Sequence, residues 1–369
     1  MIVLNLRLDG IYGFEDFKIN FTYPKKVVNS IIDAEHLAGR ERFRYKKAVV
    51  LMGANATGKT CLGKALHLIL ESLQEGFSSG LFSVITKEGA SFSIDYVNDD
   101  NVLRRYESVI YSKPKRYTHH MYAAEIEKND SYEMCVRKLK ESNISMINDT
   151  KDPYSPPELN GSLKYRFSYP EIDRELLTEG IASSRLLKTL RAIIGTLDPT
   201  LTDVSASRDL KNTYIIRRDQ QEIIIQEGKL LNREILSSGT EEGIDVAVFL
   251  ASMMSGEPCF YYCDEHFSYI QSDIEKRIFG IMIDHIPANG QLIFTTHNTD
   301  MLDLNLPMHA YTFLRRNREG GAFRTSAISA SELLKRNTDS LRRAVENDVF
   351  STLPDDTLLD ALEAGWYDE

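Results

Sequence analysis

The chain has 369 residues, a formal net charge of −10, 42% hydrophobic residues and 27% charged residues. This balance predicts an ordinary soluble globular protein with one large domain or two modest ones. The negative charge disfavours a protein that coats DNA, and no apolar run approaches the length of a membrane span.

The N-terminal region predicts strands and no targeting signal. Residues 2–22 alternate well enough for two strands joined at Asp9-Gly10. No basic stretch followed by an apolar run opens the chain, so we expect no signal peptide and a cytoplasmic protein. The cysteines lack metal-binding or disulfide spacing, which predicts reduced thiols. They are Cys61, Cys135, Cys259 and Cys263.

Two basic stretches are candidate contacts for nucleic acid, although a solvated loop face is the commoner explanation of such stretches. The first contains Arg40, Arg42, Arg44, Lys46 and Lys47. The second contains Lys113, Lys115, Arg116, His119 and His120. Tyr111 and Tyr117 interleave the second stretch, a pattern that suits stacking on bases.

The first chemical motif lies between a predicted strand at 47–52 and a predicted helix at 61–70. Residues 53–60 have the sequence Gly-Ala-Asn-Ala-Thr-Gly-Lys-Thr and fit G-x-x-x-x-G-K-[ST]. Glycine lets the backbone curl around phosphates, and a helix N-terminus attracts anions. The alternative is a strand-to-helix turn that binds nothing. The context favours a phosphate loop.

In such a loop Lys59 reaches the β- and γ-phosphates of ATP, and the Thr60 hydroxyl is a ligand of Mg²⁺. We predict that the ATP-binding residues of this segment are Gly53, Ala54, Asn55, Ala56, Thr57, Gly58, Lys59, Thr60 and Cys61.

The middle of the chain predicts a hairpin and then helices. Residues 91–110 contain two alternating runs around a polar turn, which indicates a β-hairpin. Residues 121–195 have a mainly helical pattern with a loop at 151–157. We interpret this region as an arm or lid. It has no sustained heptads, so a long coiled coil is excluded.

The second motif, Leu-Ser-Ser-Gly-Thr at 236–240, precedes an amphipathic helical pattern. Ser237, Ser238 and Gly239 are therefore predicted at a helix N-terminus, which is an anion site. It cannot serve the phosphates that the loop around Lys59 already wraps. We expect it to act on the nucleotide of a second subunit, which predicts a homodimer.

The third motif is an apolar run at 260–263 that ends in Asp264 and Glu265. We predict that Asp264 holds Mg²⁺ and that Glu265 is the general base for the attacking water. The alternative is a surface pair that caps the next helix. A second predicted strand, 291–296, ends at His297, which is either a contact for the γ-phosphate or a structural histidine.

The strings G-A-N-A-T-G-K-T, L-S-S-G-T, C-D-E and T-T-H-N-T-D-M-L-D resemble ABC-type ATPase heads, a class with SMC-like, DNA-repair and OLD-type members. The closest resemblance is to bacterial "AAA family" ATPases of the OLD and abortive-infection group. It covers residues 1–75 and 200–330. It implies ATP and Mg²⁺ as cofactors and ATP-driven dimerisation, with Ser237 closing over the partner's nucleotide.

The resemblance implies an α/β fold: an ABC-type P-loop ATPase head with a mixed central sheet, flanking helices, an N-terminal antiparallel β-subdomain and a mainly helical insertion. The expected segments are an N-terminal lobe at 1–75, a β-hairpin region at 76–120, the insertion at 121–199, a C-terminal lobe at 200–330 and an acidic helical tail at 331–369.

Three departures from the family pattern refine this expectation. Ser238 and Thr240 replace the Gly and Gln of the transporter signature, which argues against a transporter cassette. No glutamine lies between Gln74 and Gln220, so the glutamine that couples Mg²⁺ to the second lobe is unassigned. The 72 residues that follow His297 in a chain of 369 are too few for a TOPRIM nuclease domain, so any nuclease activity belongs to a partner.

The leading functional hypothesis is a dimeric ATP-hydrolysing sensor or switch that controls an effector, a nuclease or toxin, in anti-phage defence or abortive infection. Two alternatives stay open. The protein could be an ATP-clamped scaffold with little turnover, which the unassigned glutamine favours, or an SMC-like ATPase of DNA repair or recombination, which the short arm and the negative charge oppose.

Overall fold

The structure of the protein is a computed structural model that describes ten stretches of the chain. These are residues 1–26, 30–75, 79–113, 115–147, 163–170, 175–219, 221–319, 322–334, 340–352 and 357–363. The loop predicted at 151–157 lies outside them. In the described part of the chain, no helix combines the length and apolar character needed to cross a membrane.

The N-terminal sheet is antiparallel and has six strands. They are β1 (Ile2–Asp9), β2 (Phe17–Asn20), β6 (Ala90–Val97), β7 (Val102–Tyr111), β8 (Arg116–Glu125) and β9 (Lys140–Ile147). Their order across the sheet is β2-β1-β6-β7-β8-β9. The predicted strands within 2–22 and the predicted hairpin at 91–110 are confirmed as the pairs β1–β2 and β6–β7.

The central sheet also has six strands. They are β5 (Ala48–Met52), β10 (Tyr165–Ser168), β15 (Phe260–Asp264), β16 (Gln291–Thr295), β17 (Tyr311–Glu319) and β18 (Ala322–Ser329). The order is β10-β15-β16-β5-β17-β18, and only β18 runs antiparallel to its neighbour. Every residue of β5, β15 and β16 is buried, as expected for parallel strands covered on both faces.

A four-stranded meander and a short two-stranded ribbon complete the strands. The meander is formed by β11 (Leu201–Ala206), β12 (Thr213–Arg218), β13 (Gln221–Gln226) and β14 (Lys229–Leu231). The ribbon is formed by β3 (His36–Leu37) and β4 (Arg40–Arg44).

Nine α-helices are described. They are α1 (Lys59–Glu75), α2 (Ser79–Ser83), α3 (Tyr132–Lys138), α4 (Ser183–Leu197), α5 (Ser238–Met253), α6 (Ser272–Asp284), α7 (Ala330–Leu333), α8 (Leu341–Glu346) and α9 (Thr357–Glu363).

Two hydrophobic cores lie on opposite faces of the central sheet. Val49 and Leu51 of β5 pack with α1 and the N-terminal sheet, whereas Val50 packs with α4, α5, α6 and the meander. This alternation follows from the two-residue repeat of a strand. The sheet is therefore held between two layers, and the loops at the carboxyl ends of its strands remain available for a site.

The prediction of a mainly helical segment over 121–199 is wrong for much of its described part. The segment contains α3 and α4, but also the end of β8, all of β9 and the strand β10. Burial in β8 alternates along most of the strand, and β8 pairs with β7 over ten residues, so sheet pairing overrides the local helical pattern. The proposed segment boundaries themselves stay a prediction.

Candidate functional site

The predicted phosphate loop lies between β5 and α1, where its backbone requires glycine at both ends. Gly53 has φ +156°, and a Cβ there would lie 2.5 Å from the carbonyl oxygen of Leu314. Gly58 has φ +100°, and its Cβ would lie 3.0 Å from the ring of Phe14. These are backbone angles that residues with side chains rarely adopt. The two glycines therefore permit the loop conformation.

Lys59 is the first residue of α1, and its side chain folds back over the loop. Its Nζ donates to the carbonyl oxygens of Gly53 at 2.7 Å and Ala54 at 3.3 Å. The residue is only 4% exposed. Burial lowers the pKa of Lys59, and the charge of Glu265 opposes that shift. The loop thus holds a buried ammonium, a group that pairs with phosphate oxygens.

Thr60 and Asp264 join the start of α1 to the end of β15. The Thr60 hydroxyl donates to Oδ2 of Asp264 at 2.6 Å, and the Thr295 hydroxyl donates to Oδ1 at 2.7 Å. Burial raises the pKa of Asp264, against these two hydrogen bonds, which lower it. A hydroxyl and a carboxylate are oxygen ligands that suit Mg²⁺. Both residues therefore fit the predicted metal role.

The described residues contain no cluster of three or more His, Cys, Asp or Glu arranged around a metal position. Mg²⁺ is commonly held by one or two carboxylates together with water and substrate phosphates. The pair Thr60 and Asp264 is therefore a sufficient protein contribution for a nucleotide-bound Mg²⁺, but not for a metal centre built from protein ligands alone.

Glu265 lies directly after β15 with φ +49°, in the left-handed region. Its amide donates to the backbone oxygen and to the hydroxyl of Thr295, at 3.2 and 3.1 Å, which holds this conformation. Oε1 of Glu265 lies 2.8 Å from Nε2 of His297 and 3.3 Å from Nζ of Lys59. The three side chains thus come together at the carboxyl ends of β15 and β16.

The charge of Glu265 is set by opposing effects. Burial raises its pKa, but the hydrogen bond from His297 and the charge of Lys59 outweigh burial, and the pKa lies below its ordinary value. The carboxylate is therefore ionised at neutral pH, the state that a general base needs.

Glu275, which was not among the predicted site residues, holds the two neighbours of His297 in place. Glu275 of α6 is 1% exposed and accepts hydrogen bonds from the Thr296 hydroxyl at 2.9 Å and from Nδ2 of Asn298 at 2.5 Å. It thus fixes the residues on both sides of His297. Periodicity alone does not reveal this contact, because it joins a helix to a strand end 21 residues away.

An open cleft of about 420 Å³ adjoins these residues. Glu265, His297 and Asn298 line one part of it, and Phe267 and Ile270 line another. The reactive side chains therefore face a cavity, in contrast to the buried Asp264.

The second motif lies at the start of α5. Ser237 is the N-cap residue, and its Oγ accepts a hydrogen bond from the amide of Thr240 at 3.2 Å. Ser237 and Ser238 are exposed. Among the described residues, the side chain of Ser237 bonds only within its own turn, so the structure does not bring it to Lys59 of the same chain.

The start of α5 contacts the loop that follows the acidic pair. A Cβ at Gly239 would lie 2.9 Å from the carbonyl oxygen of Tyr269. Oε2 of Glu242 accepts a hydrogen bond from the amide of Tyr269 at 3.0 Å. The second and third motifs are thus connected through residue 269, a link that the sequence analysis did not predict.

The close approach of α1 to the central sheet depends on Gly63. A Cβ at this position would lie 2.5 Å from the ring of Tyr262, whose hydroxyl donates to the carbonyl oxygen of Lys59 at 2.7 Å. Helix and sheet are therefore in direct contact beneath the phosphate loop.

The hairpin of β17 and β18 closes the other side of the loop. Nη1 of Arg316 donates to the carbonyl oxygen of Ala56 at 3.3 Å. The hydroxyl of Thr325 donates to the carbonyl oxygen of Thr57 at 3.4 Å. Arg316 was not among the predicted site residues. Its position follows from the parallel pairing of β17 with β5, which sequence periodicity does not reveal.

The strand beside β15 was also missed. Ser168, the last residue of β10, pairs with Cys263, the neighbour of Asp264. Tyr169 and Pro170 are the two described residues directly after this strand, and neither is a glutamine. The glutamine expected to couple Mg²⁺ to the second lobe stays unassigned.

No protein-family model matches the chain, and no curated protein matches its sequence. Among solved structures, one similar to this chain is an SMC head bound to the C-winged helix domain of ScpA. It has 15% sequence identity and a TM-score of 0.50, and the match covers 91% of this chain and all of that one. The fold is that of an SMC head domain.

A second SMC head domain, with an extended coiled coil and bound to the C-terminal domain of ScpA, derives from Pyrococcus furiosus. It has 14% identity and a TM-score of 0.50, and the match covers 90% of this chain and 98% of that one. These matches establish the α/β ABC-type head that the sequence predicts. At such identities they describe the fold alone.

Proposed function

We propose that the protein binds ATP with Mg²⁺ and hydrolyses it. The observation that carries this proposal is the assembly of Lys59, Thr60, Asp264, Glu265 and His297, from three distant segments, through contacts of 2.6 to 3.3 Å. An ammonium, two oxygen ligands, an ionised carboxylate and an imidazole are the groups that phosphoryl transfer to water uses.

Each residue has a distinct proposed task. Lys59 binds the phosphates, while Thr60 and Asp264 hold Mg²⁺, which neutralises charge on the phosphate oxygens. Glu265 accepts the proton of the attacking water, and His297 orients that water and the Glu265 carboxylate. The remaining loop residues and Cys61 supply backbone N–H groups.

We propose further that two chains share each ATP site. The N-terminus of α5, with Ser237, Ser238 and Gly239, is an exposed anion-binding end and makes no described contact with the phosphate loop of its own chain. A homodimer would place this end over the partner's nucleotide, so that ATP holds the two chains together.

We propose that this ATP-dependent dimer acts as a switch that controls another protein. Both similar SMC heads are bound to a domain of ScpA, which supports control of a separate partner protein. The motif strings resemble the OLD and abortive-infection group, so we propose an effector nuclease or toxin in anti-phage defence. The SMC-like fold favours the second candidate, an ATPase of DNA repair or recombination.

The decisive experiment compares Lys59→Ala with Lys64→Ala, a matched variant five residues further along α1. Lys59→Ala should lower ATP affinity or turnover about 10²–10³-fold, because it removes the cation at the phosphates. Lys64→Ala should retain both. ATP binding by calorimetry and phosphate release measure the two quantities. Wild-type binding and hydrolysis in Lys59→Ala would overturn the proposal.

A further inference from the structure

A second cleft, of about 250 Å³, lies between strands β1 and β2 on one side and the β17–β18 hairpin on the other. Its volume exceeds the roughly 30 Å³ that one water molecule occupies in the liquid. Its charged and hydroxyl-bearing lining residues are Arg7, Lys18, Lys46, Thr312, Ser329 and Glu332.

The most unusual of these residues is Lys46. It is 4% exposed, and its only side-chain hydrogen bond within the described chain is a long one, 3.5 Å from Nζ to Oγ1 of Thr312. No carboxylate of the described residues lies within ion-pair distance of its ammonium. A buried charge without a close partner costs several kcal/mol. An anion in the cleft would supply that partner.

Strands β1 and β2 present two more cations to the same cleft. Arg7 and Lys18 are directly opposite each other in the antiparallel register of β1 and β2. Like charges in directly opposite positions destabilise the pairing of two strands. Lys18 has an exposed pair with Asp16 at 3.0 Å, which contributes little, and Arg7 has no ion pair among the described residues. A bound anion would relieve this repulsion.

One acid opposes the three cations. Oε1 of Glu332 already accepts a hydrogen bond from the amide of Ser329 at 3.0 Å. The lining therefore carries three positive charges and one negative charge, an excess of about two, with a hydroxyl donor at Thr312. The Ser329 hydroxyl already donates to the carbonyl oxygen of Tyr311 at 3.4 Å. A phosphate dianion matches both the charge and the donors.

We propose that this cleft is a phosphate-binding site, which takes inorganic phosphate or the terminal phosphate of a small phosphomonoester. Lys46 supplies the buried charge, and Arg7 on β1 and Lys18 on β2 line the cleft on its other side.

This site is separate from the ATP site proposed above. Lys46 precedes the first residue of β5 by two positions, whereas Gly53 directly follows the last. The residues that line the cleft include none of the predicted ATP-site residues, so neither proposal depends on the other.

Equilibrium dialysis with labelled inorganic phosphate tests the site, with the wild type, Lys46→Met, Lys59→Ala and Lys188→Met compared. Lys188 is an exposed lysine on α4 and provides the matched control. We expect the wild type, Lys59→Ala and Lys188→Met to bind phosphate equally. Lys46→Met should bind at least about tenfold more weakly, a loss of about 1.4 kcal/mol.

Two further measurements complete the test. Competition by ribose 5-phosphate, with ribose as its control, would assign the site to phosphomonoesters, whereas failure to compete would assign it to the free ion. Arg7→Gln changes an exposed residue and should weaken binding several-fold even if Lys46→Met does not fold. The proposal is overturned if the wild type binds no phosphate, if both cleft variants bind normally, or if Lys59→Ala abolishes binding.

Discussion

Nζ of Lys59 lies 3.3 Å from Oε1 of Glu265, so the proposed phosphate-binding cation and the proposed general base form one ion pair. The lysine side chain is 3% exposed and the glutamate side chain 24% exposed, so water screens the pair only in part. Each charge stabilises the other. Loss of either residue removes this ion pair from a partly buried site.

Glu265→Gln should bind ATP but hydrolyse it about 10²–10⁴-fold more slowly, because the amide cannot accept the proton of the attacking water. Phosphate release measures the rate, and light scattering should detect an accumulated ATP-bound dimer. Turnover at the wild-type rate would place the base elsewhere, with His297 the next candidate.

Ser237→Arg should leave ATP binding by the single chain nearly intact and block ATP-dependent dimerisation. The reason is that the large arginine side chain would occupy the exposed start of α5, where the partner's nucleotide is expected. The matched control is Ser131→Arg, since Ser131 is also an N-cap serine, at α3. Both variants lose a cap worth about 1 kcal/mol, so only the first should lose dimerisation.

Mixing Ser237→Arg with Lys59→Ala tests the shared site directly. In a dimer with two composite sites, both substitutions can fall on one site and leave the other intact, so partial hydrolysis should return. A nucleotide-bound structure with Ser237 on the γ-phosphate of its own chain would refute the shared site.

Glu275→Gln should lower the ATPase rate through His297 without removing a group that contacts the nucleotide. The carbonyl oxygen of a glutamine can replace one carboxylate oxygen, but its NH₂ group faces either the Thr296 hydroxyl or Asn298, so a buried donor loses its partner at about 1–3 kcal/mol. The expected signature is a lower kcat with little change in KM for ATP, together with reduced thermal stability. An unchanged kcat would show that His297 is positioned without this carboxylate.

Lys46→Met should alter how stability depends on pH in phosphate-free buffer. Burial lowers the pKa of Lys46 to about 8 from an ordinary value of 10.5, against the charge of Glu332, while the cations Arg7 and Lys18 also line the cleft. Between these two pH values the unfolded state binds more protons. The free energy of unfolding of the wild type should therefore rise with pH relative to the variant, by about 3 kcal/mol across the window.

Urea unfolding at about pH 7 and about pH 10 measures this change, with Lys188→Met as the exposed control. Parallel behaviour of the wild type and Lys46→Met would show that the buried lysine keeps its proton throughout.

The sequence predicted those parts of the fold that local pattern encodes. The strands β5, β15 and β16 were recognised because strands buried on both faces produce uninterrupted apolar runs. The strands β8 and β10 were missed because their neighbours in the sheet, and not their own periodicity, decide their conformation. Glu275 was missed as a functional residue for the same reason, since its contacts lie far away in the chain. Lys46 was predicted only as part of a basic stretch for nucleic acid, and its place in the cleft was not. The roles assigned to the site residues stay predictions.

Gly63 lies outside the phosphate-loop motif, yet it sets the distance between α1 and the ring of Tyr262. Alanine at this position would leave every recognised motif string unchanged, but its methyl group would push the helix away from the sheet. The Thr60 hydroxyl would then move off Asp264, which it contacts at 2.6 Å. A homologue with all its motif strings intact could therefore be a non-functional relative, and the residue at 63 is the first to inspect when such chains are sorted.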